Sequence, residues 1–276
     1  MAGSRRLTVA AAGDGDPGPG AGASGASARS WADYLADFHE RRPGITEEVL
    51  GHARLGDLSP YGWLAEAIPE APGRPVLDLA CGSGPVAPLV PGPWVGVDAS
   101  EAELAAARGR QAGPMVRADG RALPLGPASV SSVACSMALM LMWPVGAVLG
   151  EVARVLVPGG RLVALLPARR PLSPGDVVRY ARILAALRQR SLRYPNDNAL
   201  EQPGPILAAA GLRLVADERA RFACTITTPE VGVLCVRSLY LPGVDPARRA
   251  AAEQVARRWV GRELGLPLRR LVAVRA

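Results

Sequence analysis

The stretch VLDLACGSG, residues 76–84, carries an apolar strand directly into a glycine loop. Glycines at such a point let the backbone turn sharply and approach a ligand without a side chain in the way. Gly82, Gly84 and Ala87 satisfy the G-x-G-x-x-(G/A) spacing of dinucleotide-binding folds, a short pattern that does not by itself choose a ligand. The chain beyond the loop constrains the fold more tightly. Strand-like runs at 75–80, 94–98, 115–119, 129–136 and 160–167 alternate with helix-like runs at 101–111 and 145–156 and a short one in PVAPLV. Such alternation predicts an α/β fold with a mainly parallel sheet covered by helices on both faces.

Ahead of the first strand, WADYLADFHERR places Trp31, Leu35 and Phe38 at helical spacing with Tyr34 beside them, and Pro43 and Gly44 stop that helix. A second helix is expected in ITEEVLGHARL with Thr46 as N-cap, and a third in SPYGWLAEAI with Ser59 as N-cap and Pro60 just inside. Residues 31–70 therefore read as an N-terminal helical segment ahead of the sheet. Residues 1–30 read as a Gly, Ala, Pro and Ser tail with too few apolar side chains to order it. The paired arginines of MAGSRRLTV superficially fit an export signal, but GDGDPGPG cuts off the apolar part such a signal needs.

Beyond Pro167 the alternation lapses, although residues 71–276 still read as one domain with an insertion at about 168–200. PGDVVRYARILAALRQR carries Val177, Tyr180, Ile183, Leu184 and Leu187 on one helical face, and the polar loop SLRYPNDN comes after it. Another helix is expected near 199–210. LRLVADERARFACTIT reads as two strand-like runs around an acidic turn, PARRAAAEQVARRWVGREL as an amphipathic helix, and LRRLVAVRA as a last strand.

The net charge is +7, and arginine carries all the positive charge because the sequence contains no lysine. These arginines are scattered and not interleaved with aromatics, which fits a solvated surface and no nucleic-acid partner. Cys81, Cys135, Cys224 and Cys235 form no CxxC pair and show no metal-ligand spacing, and His39 and His52 are the only two histidines. The expectation is free thiols in a reducing cytosol and no metal site. The longest apolar run, VACSMALMLMW, is broken by Ser136 and stopped by Pro144, short of the roughly 20 residues that span a bilayer. A cytoplasmic monomer or homodimer without a membrane partner is expected.

Two acids bear on the loop's ligand. In a dinucleotide fold the acid that holds the ribose lies about 20 residues beyond the first glycines, whereas Asp98 comes fourteen positions after Gly84. Asp78 sits inside the first strand, where a carboxylate repels a pyrophosphate and attracts a cation.

With these acids in place, VLDLACGSG resembles the first motif of class I S-adenosylmethionine (AdoMet) methyltransferases, and GVDAS resembles their second-strand acid motif. RADGRALPL is similar to the third-strand motif, and RVLVPGGRLVALLP to the segment leading into the fifth strand. The four motifs stand in order over residues 74–167, nearest in pattern to the quinone and small-molecule methyltransferases. The resemblance implies a Rossmann-like three-layer sandwich with a mostly parallel seven-stranded sheet, its last strand antiparallel. It also implies S-adenosyl-L-methionine as methyl donor and S-adenosyl-L-homocysteine as product.

Position by position, the resemblance puts the Ala80, Gly82 and Gly84 backbone at the methionine end of the cofactor, with Cys81 a small buried neighbour. Asp78 favours the ammonium, Asp98, followed by Ala99, accepts the ribose hydroxyls, and Asp119 accepts from the adenine amino group while the Gly120 N–H faces a ring nitrogen. Ser136 and Met137 fall beside the transferred methyl. Ser131 stands where the family often has an aspartate, so a scheme needing a fourth-strand carboxylate does not carry over.

Methyl transfer is an in-line displacement in which alignment is the protein's main task. A base is needed only when the acceptor must lose a proton. The resemblance also implies that residues 31–70 form an N-terminal helical lid over the cofactor, and His39, the histidine within its reach, is the candidate base, weighed against an ordinary solvated helix residue. Acceptor contacts are expected from Tyr34, Phe38, Met140 and Trp143, and from Tyr180, Arg188, Arg193, Tyr194 and Asn196 of the insertion. The sequence thus predicts methyl transfer to an O, N or C atom of a small molecule. An RNA methyltransferase and a non-catalytic AdoMet-binding protein are the alternatives.

Overall fold

The computed structural model describes residues 31–71 and 73–276, so the tail expected at 1–30 lies outside the described residues. The N-terminal segment forms α1 (Trp31–Arg41), α2 (Ile45–Gly51), the two-residue strand β1 (Ala53–Arg54) and α3 (Pro60–Ala65). Ser59 caps α3 as expected, its side chain accepting from the Gly62 N–H at 2.9 Å. Thr46 does not cap α2. Gly44 takes that place with φ of 77°, a left-handed conformation that glycine adopts without Cβ strain. Thr46 lies inside the first turn, with its hydroxyl 3.5 Å from that of Tyr240.

The alternating part begins with β2 (Val76–Leu79), a 3-10 turn (Ala87–Leu89), β3 (Trp94–Asp98), α4 (Glu101–Gly109) and β4 (Met115–Arg117). It continues with β5 (Val130–Ser136), α5 (Val145–Val155) and β6 (Leu156–Pro167). All four residues of β2 and six of the seven in β5 are buried, as strands covered on both faces require. The C-terminal part adds α6 (Pro174–Leu187), α7 (Asp197–Glu201), α8 (Gly204–Ala209), β7 (Leu212–Thr225), α9 (Pro229–Arg237), α10 (Pro246–Arg257) and β8 (Glu263–Arg275).

The strands form one eight-stranded sheet of order β1-β7-β8-β6-β5-β2-β3-β4. Strands β4, β3, β2, β5 and β6 run parallel to one another, and β8 is antiparallel to both β6 and β7. The eighth strand, beyond the seven expected, is β1, whose Ala53 and Arg54 pair with Cys224 and Ala223 at the edge. The N-terminal segment thus belongs to the same sheet as the rest of the chain. β7 is one continuous strand instead of two runs around a turn, with a register shift between Leu214 and Ala216. The helix expected at 199–210 is two short ones, divided where Pro203 withholds an N–H.

In this order β2 is flanked by β3 on one side and β5 on the other, so successive connections leave it in opposite directions. In open α/β sheets, ligands bind outside the carboxyl ends of the strands at such a switch point. The segments emerging there are the glycine loop after β2, Ala99 and Ser100 after β3, Ala118 to Arg121 after β4, and Met137 to Trp143 after β5.

Candidate active site

The glycine loop is fixed by a carboxylate on the neighbouring strand. Asp98 Oδ2 accepts from the Gly82 N–H at 2.8 Å, and Oδ1 accepts from the Ser100 N–H at 2.8 Å. Each oxygen keeps a second lone-pair direction for a ligand. Burial raises the Asp98 carboxyl above its usual value, opposed by those two backbone hydrogen bonds. Gly82 and Gly84 have φ of 53° and 78°, and Ala80, just before them, has φ of 55°.

Asp78 lies beneath the loop, 1% exposed, with both carboxylate oxygens buried and without a hydrogen-bond partner among the described residues. Burial pushes its carboxyl up to about 8. The Trp94 indole pulls the other way, but its N–H makes no hydrogen bond among the described residues.

These groups open on a cavity of about 470 Å³. Its wall includes Asp78, Ala80, Cys81, Gly82, Asp98, Ala99, Asp119, Gly120, Ser136 and Met137. Ten of the eleven residues expected at the cofactor therefore share one wall. The eleventh, Gly84, is buried behind it, where a Cβ would lie 2.7 Å from the Ala112 Cβ. At Gly120 a Cβ would meet Leu79 Cδ1 at 3.3 Å and Met142 Cε at 3.4 Å, so its bare backbone keeps that wall thin. Both Asp119 oxygens accept from Arg121 Nε at 3.0 Å, and this hydrogen bonding lowers the Asp119 carboxyl.

The N-terminal helices close over this cavity through Trp31, Leu35, His39, Gly44, Thr46 and Glu47. Their ties to the glycine loop and α4 are polar. Ser100 Oγ donates to Glu40 at 2.9 Å, and Ser83 Oγ donates to Glu47. His39 Nδ1 lies 2.9 Å from Glu103 Oε1, while Glu103 Oε2 accepts from the Gly44 N–H at 2.9 Å. Glu103 is 3% exposed. His39 Nε2 lies 3.4 Å from the Tyr240 hydroxyl.

A second cavity of about 730 Å³ adjoins the first and shares Thr46, Met137 and Tyr240 with it. Of the expected acceptor residues, Met140, Tyr180, Arg193 and Tyr194 line this second cavity, and Trp143 lines the first. Tyr34 and Phe38 line neither: the Tyr34 hydroxyl accepts from the Leu241 N–H at 2.8 Å, and Phe38 is buried against Tyr240. Arg188 is an exposed helix terminus. Asn196 is buried and donates to the carbonyls of Leu139 and Met142 at 2.8 and 2.7 Å, holding the segment after β5. Glu103 and Tyr240 are site residues that the sequence pattern did not single out.

A parallel sheet that reverses beside β2, with an acid ending β3 bound to the glycine loop, is the architecture of a class I AdoMet-dependent methyltransferase domain, and AdoMet is the cofactor of that class. Residues 77–164 match the family model described as "Methyltransferase domain". The demethylmenaquinone methyltransferase of Corynebacterium efficiens is 41% identical over 100 residues, which cover 35% of this chain. The matched stretch spans 43% of that relative's length.

Among solved structures the fold is similar to that of the cyclase SpnF, with a TM-score of 0.56 at 20% identity, covering 87% of this chain and 94% of that one. It is also similar to YcgJ from Bacillus subtilis, with a TM-score of 0.54 at 18% identity over 78% of this chain and 97% of the other. The residues present fit AdoMet. Asp78 offers a buried carboxylate to an ammonium, Asp98 has lone pairs free for a diol, and Gly82 and Gly120 leave backbone bare where a ligand must come close.

Proposed function

We propose that this chain transfers a methyl group from AdoMet to an O, N or C atom of a small molecule held in the second cavity. The observation that carries this reading is the meeting of the two cavities at Thr46, Met137 and Tyr240, beside His39. A donor held in one cavity and an acceptor in the other can be aligned there, and alignment is worth several kcal/mol in a displacement reaction. Fold alone does not carry the activity, since one fold can serve unrelated reactions.

When bound, AdoMet supplies a methyl group made electrophilic by its sulfonium. The chain's own residues do the rest. Asp78 holds the ammonium end, the free lone pairs of Asp98 hold the ribose hydroxyls, and the Gly82 backbone accommodates the methionine end. Gly120 and Asp119 border the adenine, with Arg121 sharing the Asp119 carboxylate. The N-terminal helices act as a lid that excludes water. His39 takes the acceptor's proton at Nε2 where one must leave, because a carboxylate at Nδ1 fixes the tautomer and steadies the imidazolium that forms.

Methyl transfer from labelled AdoMet into a fractionated metabolite extract tests the reading, with total RNA and protein as parallel acceptors. Label in a small-molecule fraction supports it. Label confined to RNA or protein, or none with any acceptor despite AdoMet binding, overturns it.

A further inference from the structure

The second cavity combines an apolar wall with a rim of arginines, of which Arg169, Arg170, Arg193 and Arg219 are exposed and Arg269 is buried. Leu166, Leu172, Ile183, Leu184, Leu192 and Leu266 supply apolar surface from β6, from α6 with the segments on either side of it, and from β8. Arg169 and Arg170 enter from the β6–α6 connection, Arg193 from the segment after α6, Arg219 from β7 and Arg269 from β8. These segments are far apart in sequence, so the fold itself gathers the charges onto one cavity.

The opposing carboxylates do not balance them. Asp197 and Glu201 line the same cavity, and Asp217 stands behind Arg269. Asp217 is shared: Arg269 Nε donates to it at 2.7 Å and Arg219 lies 3.4 Å away. Arg193 Nε donates to Ser191 Oγ at 3.3 Å. Arg169 and Arg170 have no ion-pair or hydrogen-bonding partner among the described residues. Among the described residues, five arginines thus stand around the cavity against two lining carboxylates and Asp217 behind them. Positive charge next to apolar walls draws an anion more strongly than it would in open water, and the guanidinium fork matches a carboxylate or phosphate.

We infer that the second cavity takes an amphiphilic anion, an extended apolar molecule bearing one carboxylate or phosphate that Arg169, Arg170 and Arg193 hold. This inference rests on the reading of that cavity as the acceptor site. It places the apolar body between α6 and the sheet, and it excludes a cationic amine as the preferred acceptor.

Calorimetry on the S-adenosylhomocysteine-loaded protein tests the inference with four probes of equal chain length: dodecanoate, dodecyl phosphate, dodecanol and dodecyltrimethylammonium. All are kept below the concentrations at which they form micelles. At least one anionic probe is expected to bind about tenfold or more tightly than dodecanol, with the cationic probe weakest. Which anion wins tells carboxylate from phosphate.

The Arg169→Gln/Arg170→Gln double variant is expected to lose most of that preference while keeping its affinity for dodecanol and for S-adenosylhomocysteine. Arg258→Gln, an exposed residue outside the cavity, serves as control and is expected to change nothing. Equal binding of anion and alcohol, or a preference that survives the double substitution, overturns the inference. Loss of methyl transfer with retained anion preference would instead overturn the proposed activity and leave the ligand class standing.

Discussion

His39 Nδ1 donates to Glu103 Oε1 across 2.9 Å, joining α1 to α4 at the mouth of the cofactor cavity. A carboxylate accepts, so the imidazole carries its proton on Nδ1 and keeps a lone pair at Nε2, the nitrogen facing Tyr240. Glu103→Gln retains an oxygen for Gly44 but removes the charge opposite an imidazolium. For an acceptor that must lose a proton, kcat is expected to fall roughly 10- to 100-fold, the equivalent of one charge-assisted hydrogen bond. The KM for AdoMet is expected to stay within about twofold. A purely structural tie between α1 and α4 would raise that KM instead. The ring 15N shifts of His39, which report the tautomer directly, check the premise without needing the acceptor.

Asp78 gives the cofactor site a pH dependence. Its carboxyl, raised by burial to about 8, is mostly protonated at pH 7, while an ammonium ligand requires the charged form. Cofactor binding at pH 7 is therefore expected to release close to one proton. Calorimetry in buffers of different ionisation enthalpy measures that number. Affinity should rise with pH up to about 8 and fall above it, where the ligand's own α-amino group, of pKa roughly 8, loses its proton. For folding of the ligand-free protein the sign is opposite. The raised carboxyl contributes stability fully present below about pH 4, and this is lost as pH rises through about 8. Asp78→Asn should abolish both dependences.

Gly84 separates folding from binding. It satisfies the glycine motif, yet it packs against α4, with φ of 78° and no room for a Cβ beside Ala112. Gly84→Ala combines a left-handed strain with overpacking, a cost of about 2–4 kcal/mol. Urea denaturation should show that loss, while cofactor affinity of the folded fraction changes little. A variant with normal stability and weakened cofactor binding would return Gly84 to the cofactor site.

The central strands were legible because a parallel strand buried on both faces reads as an apolar run, and the turns between them carry Gly, Pro or Asp. What escaped has local causes. The helix Pro229–Arg237 is buried at six consecutive residues, Val231 to Val236, so it lacks the polar face that produces a helical period. Strand β7 was split at Asp217 and Glu218, which look like a turn in one dimension. In the sheet they pair with Arg269 and Arg270 of β8, at 2.7 and 2.8 Å, and the charges become cross-strand partners. Glu103 was hidden by its surroundings. It stands three residues after the N-cap Ser100, where a glutamate suggests a capping box. Its carboxylate goes instead to His39 and Gly44, and Asp98 takes the Ser100 N–H. No pattern within α4 signals a partner 64 positions away.

Asp176 anchors the helix that walls the second cavity. It is fully buried at the start of α6, where it completes a capping box with Ser173. It also accepts from Arg221 Nε at 2.6 Å and from the Gly265 N–H at 2.7 Å, tying α6 to both β7 and β8. Burial pushes its carboxyl up, but the hydrogen bonds from Arg221, Gly265 and Ser173 outweigh that and hold it well below the usual carboxylate range. Asp176→Ala strands the Arg221 guanidinium and leaves the Gly265 N–H without its acceptor, a loss of roughly 3–5 kcal/mol. Urea denaturation should show it as a lower midpoint at unchanged slope. Because the folded carboxyl titrates below its unfolded value, its contribution is present above about pH 4 and fades as pH falls through the folded value. The gap between wild type and variant should accordingly hold constant from neutral pH down to about 4 and narrow below it. A gap that stays constant into strong acid would mean that packing, and not the charge, fixes α6 against the sheet.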